Sequence, residues 1–252
     1  MFHKTIQEIY QKLTIKKLLQ YSIDNNLKHI PSALSQFKYL KYLLPKLDYD
    51  NTNIVIGKPF GSQAYYMIWK ELGLIANQKL SYGVKHDEIE FVNYGEETLG
   101  NALGIGSGIS LGSPDKLTYV NLSDGALQMG PTLEAIQFIG KHQLNMIITV
   151  DFNGMQLTDS IQNISGINSL NIESIFKLYN IETYLIDTTV LNIHEINLII
   201  NSVLLNQKET KKPTTLIFKT IKGHGVKEME EDPIFWHYKE LKNIGDITIV
   251  NN

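Results

Sequence analysis

The stretch NLSDGALQMGPTLEAIQFIGKHQLNMIITVDFNG, from Asn121 to Gly154, constrains the fold more than any other part of the chain. An apolar run ends in Asp-Gly, a stretch of helical spacing follows, and a second apolar run ends in Asp-Phe-Asn-Gly. The pattern continues beyond it. NIESIFKLYN reads as helix, IETYLID as strand, NIHEINLIINSVLLNQ as helix and PTTLIFKTIKG as strand. With KLTYVNLSD as the first strand, strands alternate with helices from residue 117 onward. This predicts an α/β fold, a parallel sheet flanked by helices on both faces.

The N-terminal part reads as helical. Residues 3–25 form one expected helix, with Ile6, Ile9, Tyr10, Leu13, Leu18 and Leu19 roughly on one face. HIPSALSQFKYLKYLLPKL is a turn and a second helix with Ser32 as its N-cap. NIVIGK is a short strand and GSQAYYMIWKELGLI a third helix. Residues 78–98 read as irregular, 155–170 as a polar loop, and HGVKEMEEDPIFWHYKEL as a polar, aromatic tail. The Gly-rich GIGSGISLG precedes a strand rather than following one, which argues against a Rossmann loop and for close helix packing. Trp69 and Trp236 read as packing residues. No repeat or low-complexity linker appears, so one domain over residues 1–252 is expected, with the helical region packed on it.

Composition removes several classes of function. A net charge of −3 offers no basic field for nucleic acid. All 23 cations are Lys, so no guanidinium is present to grip an anion bidentately. Anions must be held by Lys, His, backbone N–H groups, a metal or a partner chain. There is no Cys for disulfide or thiolate chemistry. The N-terminus has no signal-like apolar segment, and no apolar run reaches the roughly 18 residues of a membrane span. The expected location is cytoplasmic, with no membrane association.

In open parallel sheets, ligands bind beyond the carboxyl ends of strands. Asp124 and Asn153 stand at two such ends, and on neighbouring strands both would project into one crevice. Gly125 lets the backbone turn tightly, and the following helix would direct N–H groups at the crevice. A carboxylate, an amide oxygen and a backbone carbonyl are hard ligands suited to Mg²⁺ or Ca²⁺ carrying a diphosphate. Taken singly, Asp-Gly and Asn-Gly are turn dipeptides; together, flanking a strand–helix–strand unit, they read as a site.

With these letters the chain resembles the transketolase family. SDG followed by Asn153 resembles the thiamine-diphosphate motif, usually Gly-Asp-Gly with Asn about thirty residues on. DGALQMGPTLEAIQFIGKHQLNMIITVDFNGMQ resembles the transketolase form of that motif, KHIPSALS resembles its GHIGxxLS, and KTIKGHGVKEMEEDPIFWH resembles its KTIKGKGV…ME…WH. The resemblance runs from about residue 5 to 240 and implies the N-terminal, diphosphate-binding (PP-domain) half of such an enzyme. It implies thiamine diphosphate and Mg²⁺ (or Ca²⁺) as cofactors. Asp124, Asn153 and the Met155 carbonyl would hold the metal, with Ser123 and Gly125 beside the diphosphate and Leu99 and Leu157 against the cofactor. His29, His86 and His237 would be catalytic, His237 also reaching the diphosphate.

Departures accompany the match. The family's SKGHGS reads GKPFGS, so Phe60 replaces a diphosphate-contacting His. Glu97 replaces a Gly, and Met129 replaces an acid of the network linking the two active sites of the dimer. The pyrimidine-binding and C-terminal domains are expected on a second subunit, giving a split enzyme, an α2β2 heterotetramer acting on sugars or sugar phosphates. The expected reaction transfers a two-carbon ketol unit from ketose to aldehyde, in specialised sugar biosynthesis. The alternatives are a pyruvate-decarboxylating carboligase, the thiamine-dependent subunit of a 2-oxo acid dehydrogenase, or a non-catalytic scaffold paralogue that no longer binds cofactor.

Overall fold

The computed structural model describes residues 6–76, 83–85 and 87–250. In chain order the elements are α1 (Ile6–Lys12), α2 (Ile15–Asp24), α3 (Ile30–Leu43), β1 (Thr52–Gly57), α4 (Gln63–Glu71), β2 (Val92–Gly95), α5 (Ala102–Gly112) and β3 (Leu117–Ser123). There follow α6 (Gly130–His142), β4 (Met146–Phe152), α7 (Ile161–Ser165), α8 (Ser169–Leu178), β5 (Glu182–Asp187), α9 (Ile193–Thr210), β6 (Thr214–Lys219) and α10 (Lys227–Glu231). They fall into two compact units. A helical unit comprises residues 1–47, 60–82 and 221–252, and a sheet unit comprises 48–59 and 83–220.

The sheet unit carries a six-stranded, all-parallel sheet in the order β2-β1-β3-β4-β6-β5. Alternate residues sort to its two faces. Val55, Val120, Leu122, Ile148, Val150 and Ile217 meet Leu103 of α5, Ile136 and Ile139 of α6, and Phe176 of α8 in one core. The crossovers β4–α8–β5 and β5–α9–β6 run in opposite directions along the sheet. Right-handed connections therefore put α8 and α9 on opposite faces, as expected for this class. Gly106 shows why α5 is rich in small residues. A Cβ there would lie 2.7 Å from the Val120 side chain, so glycine sets how near the helix can come. Gly104, Gly108 and Gly112 face open space, so packing explains only part of the run.

In the helical unit the single helix expected over residues 3–25 is two. Leu13 is buried at the break, and Thr14 caps α2 by accepting the Lys17 N–H at 3.3 Å. Ser32 is not the cap of α3. Pro31 occupies the first turn, where its missing N–H costs nothing, so the helix begins earlier and His29 is the residue before it. Trp69 packs beside Tyr65 and Tyr66, its buried role as expected.

Two expectations of irregular chain also change. Residues 92–95 form the edge strand β2, too short for its alternation to register in the sequence. The loop expected over 155–170 contains α7, and α8 starts at Ser169 because the Asn168 side chain accepts the Leu170 and Asn171 N–H groups, both at 3.0 Å. Among the described residues no helix is long and apolar enough to cross a membrane.

Candidate functional site

Four neighbouring strands of the sheet unit deliver polar residues to the same carboxyl edge. β1, β3, β4 and β6 lie side by side, with Gly57 level with Leu122, Ser123 with Asp151, and Phe152 with Lys219. Lys58, Asp124, Asn153 and Thr220 follow these strands directly, and Asp151 stands one residue before the end of β4. Asp124 and Asn153 thus share one edge, as their sequence positions suggested.

Asp124 is 3% exposed. One carboxylate oxygen accepts the Gly125 N–H and the other the Gly154 N–H, each at 2.8 Å. Gly154 has a φ of 71°, a left-handed conformation that glycine adopts without strain. Burial, then the charge of Asp151, pushes the Asp124 carboxyl up to about 7, against the pull of Lys58 and the two N–H groups. Asn153 donates its amide N–H to Asp151 Oδ2 at 3.1 Å and accepts the Met155 N–H on Oδ1 at 3.1 Å. Asp151 also accepts the Thr220 hydroxyl at 2.5 Å and forms a buried ion pair with Lys58.

The other expected residues surround this set. Ser123 Oγ accepts the Ala126 N–H at 3.3 Å. The bare Cα of Gly125 faces Leu99, whose Cδ1 would lie 3.4 Å from a Cβ added there. Met155 pairs with Ser160 in a short antiparallel bridge, and Leu157 beyond it is exposed. One expectation is corrected. The helix after β3 does not present its first turn at the strand end, because a 3₁₀ turn over Asp124–Gln128 intervenes and α6 starts only at Gly130. Ser123 caps this tighter turn by accepting the Ala126 N–H.

Sequence reading missed Lys58, Asp151 and Thr220 as members of the site, and Glu96 nearby in the chain. Each of the first three lies at the carboxyl end of an apolar run, a signal that could have flagged them. Glu96 is 1% exposed and its Oε1 accepts the Ala102 N–H at 3.0 Å and the Asn101 N–H at 2.5 Å, capping α5. Burial raises its carboxyl above the usual range. Glu97, the acid noted in the sequence, is exposed and pairs with Lys85 at 3.4 Å. Met129 is also exposed. Among the described residues no group of three or more His, Cys, Asp or Glu is arranged for a metal.

The helical unit gathers His29 and His237. His29 is buried with a φ of 55°. Its ring stacks on Phe60 with centroids 4.5 Å apart and planes at 23°, and meets His237 edge-on at 4.5 Å and Tyr238 at 4.8 Å. Lys222 Nζ lies 3.1 Å from His237 Nδ1. Burial, then the positive charges of His237, Lys222 and Lys28, lowers His29 to about 3. Burial, then Lys222, lowers His237 to about 4. Both rings are neutral near pH 7. A Lys222 ammonium donating to Nδ1 leaves the His237 ring proton on Nε2 as its single donor. His86 lies outside the described residues.

The sequence profile described as "Transketolase, thiamine diphosphate binding domain" matches residues 110–236. Transketolase-like protein 2 of Mus musculus is 26% identical over 209 residues, covering 76% of this chain and 32% of the relative. A transketolase of Mycoplasma pneumoniae is 31% identical over 137 residues, 44% of this chain and 21% of the relative. Among solved structures, a transketolase mutant from Pichia stipitis aligns with a TM-score of 0.71 at 18% identity, covering 89% of this chain and 37% of that one. A transketolase from Campylobacter jejuni aligns at 0.61 with 20% identity, covering 84% and 39%. These structures share the fold. The chain spans about one third of the length of the curated relatives it matches first.

Proposed function

The chain belongs to the transketolase thiamine-diphosphate-binding domain family, and from that premise we propose that it is the cofactor-holding part of a transketolase-like enzyme. The reaction moves a two-carbon ketol unit from a ketose donor to an aldehyde acceptor, in specialised sugar biosynthesis. The observation that carries this reading is the arrival of Asp124 and Asn153 at one sheet edge, where Asp124 accepts the N–H of Gly154, the residue after Asn153.

The donor set fits a hard divalent cation carrying a diphosphate. A buried carboxyl raised to about 7 gains from a cation beside it, and the amide and carbonyl oxygens of Asn153 and Met155 are Mg²⁺ ligands by type. Thiamine diphosphate, when bound, supplies the electron sink that lets a carbon–carbon bond next to a carbonyl break. This chain's residues hold it. Asp124, Asn153 and the Met155 carbonyl would hold the metal, Ser123 and Gly125 would border the diphosphate, and Leu99 and Leu157 would form apolar walls. His29 and His237 act as neutral hydrogen-bond partners of substrate and diphosphate; His86 joins them on family resemblance. The pyrimidine-binding and C-terminal portions are proposed to reside on a second polypeptide, in an α2β2 assembly working in the cytoplasm. Sugar or sugar-phosphate contacts then belong largely to that partner.

Phe60 favours a second reading, a non-catalytic scaffold, since a phenyl ring cannot donate the hydrogen bond of the histidine usual there. Mixing the chain with the proposed partner chain, thiamine diphosphate and Mg²⁺ tests the two. Ketol transfer that requires both chains supports the enzyme. No binding of thiamine diphosphate, even with the partner present, supports the scaffold.

A further inference from the structure

Asp151 and Lys58 form a buried ion pair, their side chains 0% and 6% exposed. An apolar pair of similar volume would often serve stability as well or better. What the pair does geometrically is specific. Asp151 Oδ2 receives Lys58 and the Asn153 amide N–H, while Oδ1 receives Thr220 at 2.5 Å. The carboxylate is anchored from β1 on one side and β6 on the other, and from that position it reads the Asn153 amide. An asparagine amide has two orientations that differ by exchange of N and O. Here one is forced. The reverse would set Oδ1 against a carboxylate and the amide N–H₂ against the Met155 N–H, a mismatch at both ends.

We infer that Asp151, anchored by Lys58 and Thr220, is a positioning residue that locks the Asn153 amide with its oxygen presented for the cofactor's metal. Resting on the function proposed above, the inference goes beyond it by assigning work to three residues outside the ligand set. Removing an outer partner of this kind typically costs about 10- to 100-fold in metal affinity.

The test uses two readouts. The first is the affinity for thiamine diphosphate at fixed Mg²⁺, by titration calorimetry. The second needs no cofactor: hydrogen exchange of the Asn153 side-chain amide in ¹⁵N-asparagine-labelled protein, its signal assigned by its loss in Asn153→Ala. The variants are the charge-free double Lys58→Met/Asp151→Leu, and Thr220→Val with Thr220→Ser. Thermal unfolding checks that each folds. The double variant is expected to weaken binding about 10- to 100-fold and to release the amide from protection. Thr220→Val should give a smaller loss that Thr220→Ser restores. Folded variants with wild-type affinity and an amide still protected would overturn the inference. If the double variant does not fold, the Thr220 pair decides by the same readouts. If wild-type protein binds no cofactor, the proposed function fails, while amide exchange still decides whether Asp151 sets the amide.

Discussion

The carboxyl edge of the sheet and the histidine cluster of the helical unit solve one problem with opposite signs. Each buries ionisable groups, and burial drives each toward its neutral form: Asp124 up to about 7, His29 down to about 3 and His237 to about 4. They differ in what stands beside them. A second carboxylate, Asp151, faces Asp124, so the sheet edge favours an arriving cation. Lys222 stands beside His237 and adds to burial in keeping both histidines neutral. The first region is a buried acid pair; the second is a cluster of packed rings.

The sharpest way to break this comparison is pH. A carboxyl raised in the fold contributes stability that is complete below its unfolded value and is lost as pH rises through about 7. Lifting Asp124 by about three units corresponds to roughly 4 kcal/mol at about 1.4 kcal/mol per unit. Asp124→Asn should therefore stabilise the metal-free protein by up to that order at pH 8 and change little near pH 4, read from denaturant unfolding at both. An equal effect at both pH values would contradict the burial argument. The lowered histidines behave oppositely. Their contribution is present above pH 6.5 and is lost as pH falls toward 3 to 4. Amide exchange at pH 4.5 should accelerate in α3 relative to β3 and β4, and at pH 8 the order should reverse.

Packing at the sheet edge gives the next largest effect. A Cβ at Gly57 would sit 2.6 Å from Ala102 Cβ, 2.8 Å from the Leu122 side chain and 2.9 Å from the Asn121 carbonyl oxygen. Gly57→Ala should cost about 2–3 kcal/mol in a denaturant melt, and a neutral result would mean α5 does not press on β1 as described. In the histidine cluster, Lys222→Met should raise the His237 pKa from about 4 toward the ordinary 6.5, by about one unit, measured by NMR titration. No change would remove Lys222 as a cause. The smallest effect belongs to Phe60→His. Restoring a donor should tighten thiamine diphosphate binding by about 3- to 10-fold, the scale of one net hydrogen bond.

The sheet and the placement of Asp124 and Asn153 at its edge were legible because both are local. Asp124 and Asn153 stand beside turn glycines at the ends of apolar runs, and the period of the runs gives the strands. Asp151 and Lys58 are 93 residues apart, and only the strand order β1-β3-β4 brings them together. Composition offered no hint of that pairing. Helix starts were misread where a side chain competed with a proline, as at Ser32 and Pro31. The break at Thr14 was hidden because apolar spacing continues through it. Histidine roles came from family resemblance alone; the stacking on Phe60 and the left-handed backbone of His29 have no sequence signal of their own.

The central claim is that Asp124 holds a divalent metal through which this chain binds thiamine diphosphate. Calorimetric titration of the cofactor with Mg²⁺, alone and with the proposed partner, into wild type and Asp124→Ala tests it most directly. The account predicts binding that requires the metal, strengthens with the partner and disappears in the variant. Binding that is indifferent to Mg²⁺ or unchanged in Asp124→Ala would contradict it, as would no binding by wild type in the partner's presence.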